Sequence, residues 1–138
     1  MSPIGPDWLL LAELRPGSDP AKPSAPLVVP LRLVTESNAK EHWTSRSARA
    51  KKQRHAVAWA WTLARWPRKQ KPAAVKLTRR AARRLDPDNL VSSMKHVIDE
   101  IADLCGFNDR DPHVRWGFAQ ETSRVYELVV EIDWGDAP

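Results

Sequence analysis

The sequence predicts a small α+β domain with two main helices packed on a mixed sheet. The chain has 138 residues, a length that fits one domain with its own hydrophobic core. Segments with strand and helix patterns follow in the order β-α-β-α-β-β, which leaves too few parallel crossovers for a doubly wound sheet. A single cysteine, Cys105, excludes an internal disulfide and a cysteine-cluster zinc site.

The first element is predicted after a long N-terminal tail. Residues 1–26 hold six of the twelve prolines, a composition typical of a flexible segment. The folded domain is therefore expected to cover residues 27–138. Its first strand is predicted over residues 27–35, where Pro30 suggests an edge position in the sheet.

The remaining elements follow from periodicity and from the residues that interrupt it. A first helix is predicted from about residue 40 to residue 66, and a second strand over residues 73–80. A second helix is expected from residue 88 to about residue 105, with Gly106 just beyond its last turn. Two alternating segments, residues 113–121 and 124–133, predict two strands around a turn.

The second helix has two chemically different sides. Its apolar residues recur with helical spacing and predict the side that faces the core: Leu90, Met94, Val97, Ile98, Ile101, Leu104 and Cys105. The opposite side carries Asp88, Ser92, Lys95 and Asp99. Lys95 is therefore expected on the same face as the leading carboxylate, two turns away.

Charge is divided unevenly along the chain. The formal net charge is +5 and the isoelectric point about 9.7. Residues 40–85 contain fifteen Lys or Arg and one acid, whereas residues 86–138 contain twelve acids and four bases. The basic half predicts a polyanionic partner. The acids that follow would repel that partner unless a bound divalent cation neutralised them.

Four aspartates are candidates for such a cation site. Asp86 and Asp88 lie at the start of the second helix, and Asp109 and Asp111 follow it. Simpler interpretations are a helix N-cap for Asp88 and a turn residue before proline for Asp86. At about 1.5 Å per residue, the helix separates the two pairs by roughly 25 Å. Their convergence does not follow from the sequence alone.

The ordered set "DPDNL", a lysine and an aspartate on one helix face, and "GFNDRDPHV" resembles the RusA-like Holliday junction resolvases of bacteria and phages. The resemblance covers residues 79–120 by motif and extends loosely to "ESNAKEHWTSRSARAKKQR". It implies a small α+β fold, a homodimer, and Mg²⁺-dependent symmetric cleavage of four-way DNA junctions in recombination and repair.

The resemblance also implies roles for individual residues. It assigns the paired acids to Asp86 and Asp88, the third carboxylate to Asp111 and the lysine to Lys95. The lysine lies seven residues after the second aspartate instead of four, and Arg110 separates the two loop acids. Asp109 therefore stays open as the third metal ligand. Carboxylate oxygens suit Mg²⁺, which can activate water and relieve charge at phosphorus.

Phosphate contacts are expected from the first helix and from the basic stretch before Asp86. The candidate DNA-binding residues are Arg46, Arg49, Lys51, Lys52, Arg54, Arg79, Arg80, Arg83 and Arg84. Trp59, Leu63 and Trp66 share one helix face, and we interpret them as core or dimer interface rather than base-stacking groups.

The leading hypothesis is a Mg²⁺-dependent endonuclease that acts on branched DNA as a homodimer, because a four-way junction offers two equivalent strands to two equivalent sites. One alternative is a non-catalytic, basic nucleic-acid-binding protein. Another is a phage or plasmid regulator that keeps the fold without activity. The apolar runs are too short to span a bilayer and no signal-peptide pattern is present, so the sequence predicts a cytoplasmic protein without membrane contact.

Overall fold

The computed structural model describes residues 25–34 and 43–135. The tail predicted at residues 1–26 lies outside the described residues except for Ala25 and Pro26. The predicted beginning of the first helix, residues 40–42, also lies outside them, as do residues 136–138 at the C-terminus.

Within the part of the chain that the structure describes, four strands form one open mixed sheet in the order β1-β4-β2-β3. The central strand β2 pairs parallel to β3 and antiparallel to β4, and β1 pairs antiparallel to β4. The strands are β1 Leu27–Val29, β2 Ala74–Ala81, β3 Arg115–Thr122 and β4 Glu127–Asp133. The α+β fold with a small mixed sheet is therefore confirmed.

In the described residues three helices accompany the sheet: α1 Trp43–Leu63, α2 Pro87–Ser93 and α3 Lys95–Cys105. The prediction of one continuous second helix is wrong, because the chain breaks at Met94, whose φ is −95° and ψ 0°. Just before the break, the buried Ser93 hydroxyl donates a 2.6 Å hydrogen bond to the Leu90 carbonyl. Serine side chains that bond to the preceding turn in this way weaken and bend helices.

One hydrophobic core joins α1 and α3 to the inward residues of β1, β2 and β4. The predicted core face of the second helical segment is confirmed, since Met94, Val97 and Ile101 are fully buried. Leu90, Leu104 and Cys105 are also buried, and Ile98 packs against the same core. The apolar residues of α2 and those of α3 each face this core, so burial continues on both sides of the break.

Three tryptophans fix the end of α1 to the end of the sheet. Trp61 meets Trp66 edge to face at 4.9 Å between ring centroids, and Trp134 contacts both rings at 6.4 Å. The Trp61 indole N–H donates to the Pro67 carbonyl at 3.0 Å. Because Trp134 directly follows β4, whose last residue Asp133 pairs with Ala74 of β2, α1 ends near the beginning of β2.

The sheet order also differs from the simplest sequence interpretation. β3 and β4 follow each other in the chain, yet β2 lies between them. The first strand is shorter than predicted, although Leu31 and Leu33 continue its buried side beyond Pro30. None of the helices in the described part of the chain is long and apolar enough to cross a membrane. The cytoplasmic location stays a prediction.

Candidate functional site

Asp86 and Asp88 lie where the chain leaves the end of β2 and enters α2. Asp86 occupies the N-cap position with extended backbone angles, and its carbonyl accepts the Leu90 N–H at 2.8 Å. Its side chain makes no capping hydrogen bond. Asp88 lies inside the first turn, so its predicted N-cap role is wrong.

Both carboxylates are exposed and have no local structural use. Within the described chain, neither forms a hydrogen bond or an ion pair. Each side chain is therefore available to a ligand from solvent. The positive end of the short helix α2 adds only a weak local field, which by itself defines no site.

The segment that presents the two aspartates is held by Gln120 of β3. The Gln120 side-chain oxygen accepts the Leu85 N–H at 2.8 Å, and its amide donates to the Leu85 carbonyl at 2.7 Å. This two-point contact fixes the residue directly before Asp86 against the sheet. Sequence reasoning missed Gln120, because no local pattern links it to a segment 35 residues earlier.

The basic residues before Asp86 divide into exposed and structural ones. Arg83 and Arg84 are exposed and directly precede the acidic pair. Arg79 is buried, and its guanidinium donates to the carbonyls of Leu33 at 3.2 Å and Arg83 at 2.7 Å. Burial lowers the pKa of Arg79. These contacts give Arg79 a structural role, and its burial makes it a poor candidate for a DNA contact.

Arg80 is also occupied by contacts within the protein. Its side chain lies between two glutamates, with Nε 3.0 Å from Glu121 and Nη1 2.7 Å from Glu127. The hydrogen bond to Glu127 is the main cause that raises the pKa of Arg80. A phosphate would have to compete with two carboxylates for this guanidinium, so Arg80 is a weaker candidate for a DNA contact than Arg83 and Arg84.

Arg54 of α1 is likewise held by two carboxylates within the protein. Its Nε donates to Glu100 at 2.9 Å, and its Nη2 pairs with Asp103 on the same neighbouring helix, α3. The contact to Glu100 contributes most to a raised pKa of Arg54. Arg54 therefore joins α1 to α3 and is a weaker candidate for phosphate than its neighbours.

The other basic residues of α1 remain candidates. Lys51 and Lys52 are exposed, Arg46 is exposed and Arg49 is partly exposed. α1 ends near the start of β2, and its 21 residues extend about 30 Å away at 1.5 Å per residue. Because Arg54 contacts the middle of α3, the N-terminal half of α1 points toward the end of the sheet that carries Asp86 and Asp88.

Asp111 lies at the opposite end of the sheet, close to where β2 begins. Lys71 Nζ lies 2.7 Å from one of its carboxylate oxygens, and the other oxygen accepts the His113 N–H at 2.8 Å. These two contacts, Lys71 first, lower the pKa of Asp111. The Val114 N–H donates to the Asp111 carbonyl at 3.3 Å, which completes a turn into β3.

The strand register gives the separation of the two acidic groups. β2 and β3 are parallel, with Ala74 opposite Arg115 and Ala81 opposite Thr122. Asp111 precedes the paired segment and Asp86 follows it, so about 20 Å of sheet lies between them at 3.3 Å per residue. Among the described residues, no three His, Cys, Asp or Glu side chains form a group suited to a metal ion. One chain does not assemble the predicted ligand set.

Asp109 and Lys95, the remaining predicted site residues, lie in two further regions of the structure. Asp109 is exposed and lines a polar cleft of about 350 Å³, together with Arg54, Asp99, Ala102, Asp103, Phe107 and Asn108. Lys95 is exposed and is the first residue of α3, which directly follows the helix that carries Asp88. The helical spacing used to place it on the face of Asp88 does not carry across the break at Met94.

Comparisons with known proteins add no relative. No protein-family model, no curated protein sequence and no solved structure matches this chain. The family resemblance of residues 79–120 therefore rests on the motif residues alone.

Proposed function

We propose that this protein is a Mg²⁺-dependent endonuclease of the RusA-like type, which cuts branched DNA such as the four-way junction as a homodimer. The observation that carries the proposal is the pair Asp86 and Asp88. Both side chains are exposed, neither serves the fold, and Gln120 fixes the segment that presents them. Exposed Arg83 and Arg84 lie directly beside this pair.

The third ligand comes, in this proposal, from a second copy of the chain. Asp111 is about 20 Å of sheet away from Asp86 in its own chain, by the strand rise. A two-fold axis across the strand direction places the Asp111 end of one copy beside the Asp86 end of the other, and does so twice. The two carboxylates of one subunit and the third of its partner would then hold each metal ion.

The residues of this chain then have distinct tasks. Bound Mg²⁺ would supply an activated water and charge relief at the phosphate. Arg83 and Arg84 hold the DNA backbone beside the acids, and Lys51 and Lys52 on α1 extend the contact along the duplex. Lys95 offsets negative charge near Asp88. Because these contacts reach phosphates and not base edges, we expect little sequence preference in binding.

A second function is favoured by one observation. The described residues of one chain bring no three acids together, and a non-catalytic nucleic-acid-binding protein would need no such group. Such a protein would use the same basic residues and bind with strong salt dependence, because each neutralised phosphate adds about 0.9 to the slope of log affinity against log salt.

A nicking assay on a synthetic four-way junction separates the two functions. We expect paired cuts with Mg²⁺ and none with EDTA. Asp86→Asn, Asp88→Asn and Asp111→Asn should each lower the cleavage rate at least a hundredfold and leave junction binding intact. Asp103→Asn is the matched control, because Asp103 is exposed and belongs to the Arg54 contact. Binding without cutting by the wild-type protein would establish the second function instead.

A further inference from the structure

The C-terminal half of α1 carries an exposed aromatic group, and two exposed arginines follow just beyond the helix. Trp59 is 60% exposed and Leu63 66% exposed, although Trp61 between them is fully buried. His55 stacks near Trp59, with ring centroids 6.5 Å apart and planes inclined by 13°. The core interpretation is thus wrong for Trp59 and Leu63 and confirmed for the buried Trp66.

Helical geometry places Trp59 on the same side of α1 as Lys52, a candidate phosphate contact. Lys52, His55, Trp59 and Leu63 follow one another at intervals of three or four residues, so they share one stripe of α1. The stripe begins with a cation and ends with apolar side chains. At 1.5 Å per residue, about 10 Å separates Lys52 from Trp59 along the helix.

Charge around the stripe selects the partner. Between Trp43 and Leu85 the sequence contains no aspartate or glutamate, while Arg65 and Arg68 are exposed just beyond the helix. The stretch of chain that carries Trp59 is therefore strongly cationic. It attracts a polyanion and repels a second copy of the same surface.

The available apolar area also argues against a second copy here. One tryptophan buries at most about 250 Å², and a stable interface needs about 800 Å² on each partner. About half of such an interface is apolar, and Trp59 and Leu63, each already partly covered, cannot supply even that share between them. A stacking contact needs only one exposed ring, and every nucleobase offers a flat face to it.

We propose that Trp59 stacks on an unpaired base of nucleic acid whose backbone lies along Lys52, so that α1 recognises single-stranded segments or the open centre of a branched molecule. This inference rests on the proposed function and deepens it, because it assigns one part of the protein's DNA-binding surface to unpaired bases. Duplex DNA, whose bases are already stacked, would use the cations of α1 without Trp59.

Anisotropy with labelled DNA in EDTA tests the inference without any cleavage. The three probes are a single-stranded oligo(dT), a duplex of the same length and a four-way junction. We expect Trp59→Ala to weaken binding of the single strand and the junction about tenfold, since stacking contributes about 1–3 kcal/mol per base. Duplex affinity should change less than twofold. Trp59→Phe should keep most of the affinity, and Leu63→Ala is the matched apolar control.

Three results would overturn the inference. The first is an unchanged single-strand affinity in Trp59→Ala. The second is an equal loss on all three probes. The third is that Trp59→Ala and Leu63→Ala both convert a dimer to a monomer in sedimentation, which would assign this surface to a second copy. A protein that never cuts DNA yet shows the Trp59 dependence would refute only the nuclease function.

Discussion

Individual side chains decide which sequence-based assignments survive. Arg54, Arg79 and Arg80 look like Arg83 and Arg84 in a sequence, because charge runs usually indicate a solvated or phosphate-binding face. In the structure, Arg54 and Arg80 are paired with carboxylates of other elements and Arg79 with backbone carbonyls. Apart from the Arg83 carbonyl, those partners are distant in the sequence, so no local pattern could separate structural arginines from exposed ones.

The ion pair of Lys71 with Asp111 gives a pH-dependent prediction. Lys71→Met removes the largest cause of the lowered Asp111 pKa, so the pKa should rise toward its ordinary value of about 3.9. A lowered pKa in the folded state stabilises the protein above the unfolded-state pKa, and this contribution is lost as the pH falls through the folded-state value. Urea unfolding should therefore find the variant less stable at pH 7 and equal to wild type near pH 2.

Carboxyl-carbon NMR titration would measure the Asp111 pKa directly. Lys51→Met is the control, because it removes an exposed lysine of α1 and should leave that pKa unchanged. The same Asp111 pKa in wild type and Lys71→Met would contradict the ion pair as its cause.

The thiol of Cys105 should be chemically silent in the folded protein. Cys105 is 2% exposed, and burial raises the pKa of its thiol to about 12. Because the thiolate is the reactive form, Ellman's reagent at pH 8 should label it only as fast as the protein opens. Val125→Cys, at a position 59% exposed, provides a reactive reference thiol in the same protein. Equal labelling rates for the two thiols in the native state would refute the prediction.

Helices and strands were easier to predict than the breaks between them. The apolar period from Leu90 to Cys105 identified the correct buried face, because the hydrophobic effect acts on every turn. The interruption at Met94 depends on one buried hydroxyl, Ser93, which no periodicity reveals. This break removes the spacing argument for Lys95, so its role now depends on experiment.

The end of α3 provides a test at the level of one element. Gly106 has φ 72° and ψ 38°, and its N–H and that of Phe107 donate to Asp103 and Ala102. This is the Schellman arrangement that favours glycine. Gly106→Ala should lower the free energy of unfolding by about 1–2 kcal/mol, the cost of a left-handed conformation. An added Cβ would lie 3.5 Å from Lys69 Cα, an ordinary contact, so backbone strain is the cause.

Chemical denaturation of Gly106→Asn and Gly106→Ala separates backbone strain from crowding by the added side chain. Asparagine tolerates the left-handed region, so Gly106→Asn should lose less stability than Gly106→Ala. A larger loss for asparagine would indicate crowding against Lys69 instead.

The whole molecule has properties that no single element predicts. β3 and β4 follow each other in the chain, yet β2 separates them, because strand order is set by long-range packing and not by the turn. Parallel pairing of β2 with β3 then puts Asp111 and Asp86 at opposite ends of the sheet. The helix length alone predicts a separation of roughly 25 Å, but the sequence does not show that the chain leaves the acids at opposite ends of the sheet.

The strand β3 offers a route by which two copies could bring these ends together. It lies at the edge of the sheet and pairs only with β2 among the described strands. Edge strands present unpaired backbone groups to another chain. Antiparallel pairing of two β3 strands about a two-fold axis would place the Asp111 end of one subunit beside the Asp86 end of the other, as the proposed function requires.

Mixed dimers test this arrangement. Asp88→Asn and Asp111→Asn are each expected to be inactive, but a dimer of one with the other has one intact site if each site takes Asp88 from one subunit and Asp111 from its partner. Refolding the two variants together in equal amounts should therefore restore about a quarter of the wild-type sites, and junctions should receive single nicks instead of paired ones. If each site is built within one chain, every site in the mixture is damaged, and the mixture is as inactive as either variant alone.

A parallel mixture of Asp88→Asn with Asp109→Asn tests which loop acid the partner supplies. If Asp109→Asn is inactive alone and the mixture recovers activity, Asp109 is the partner's ligand.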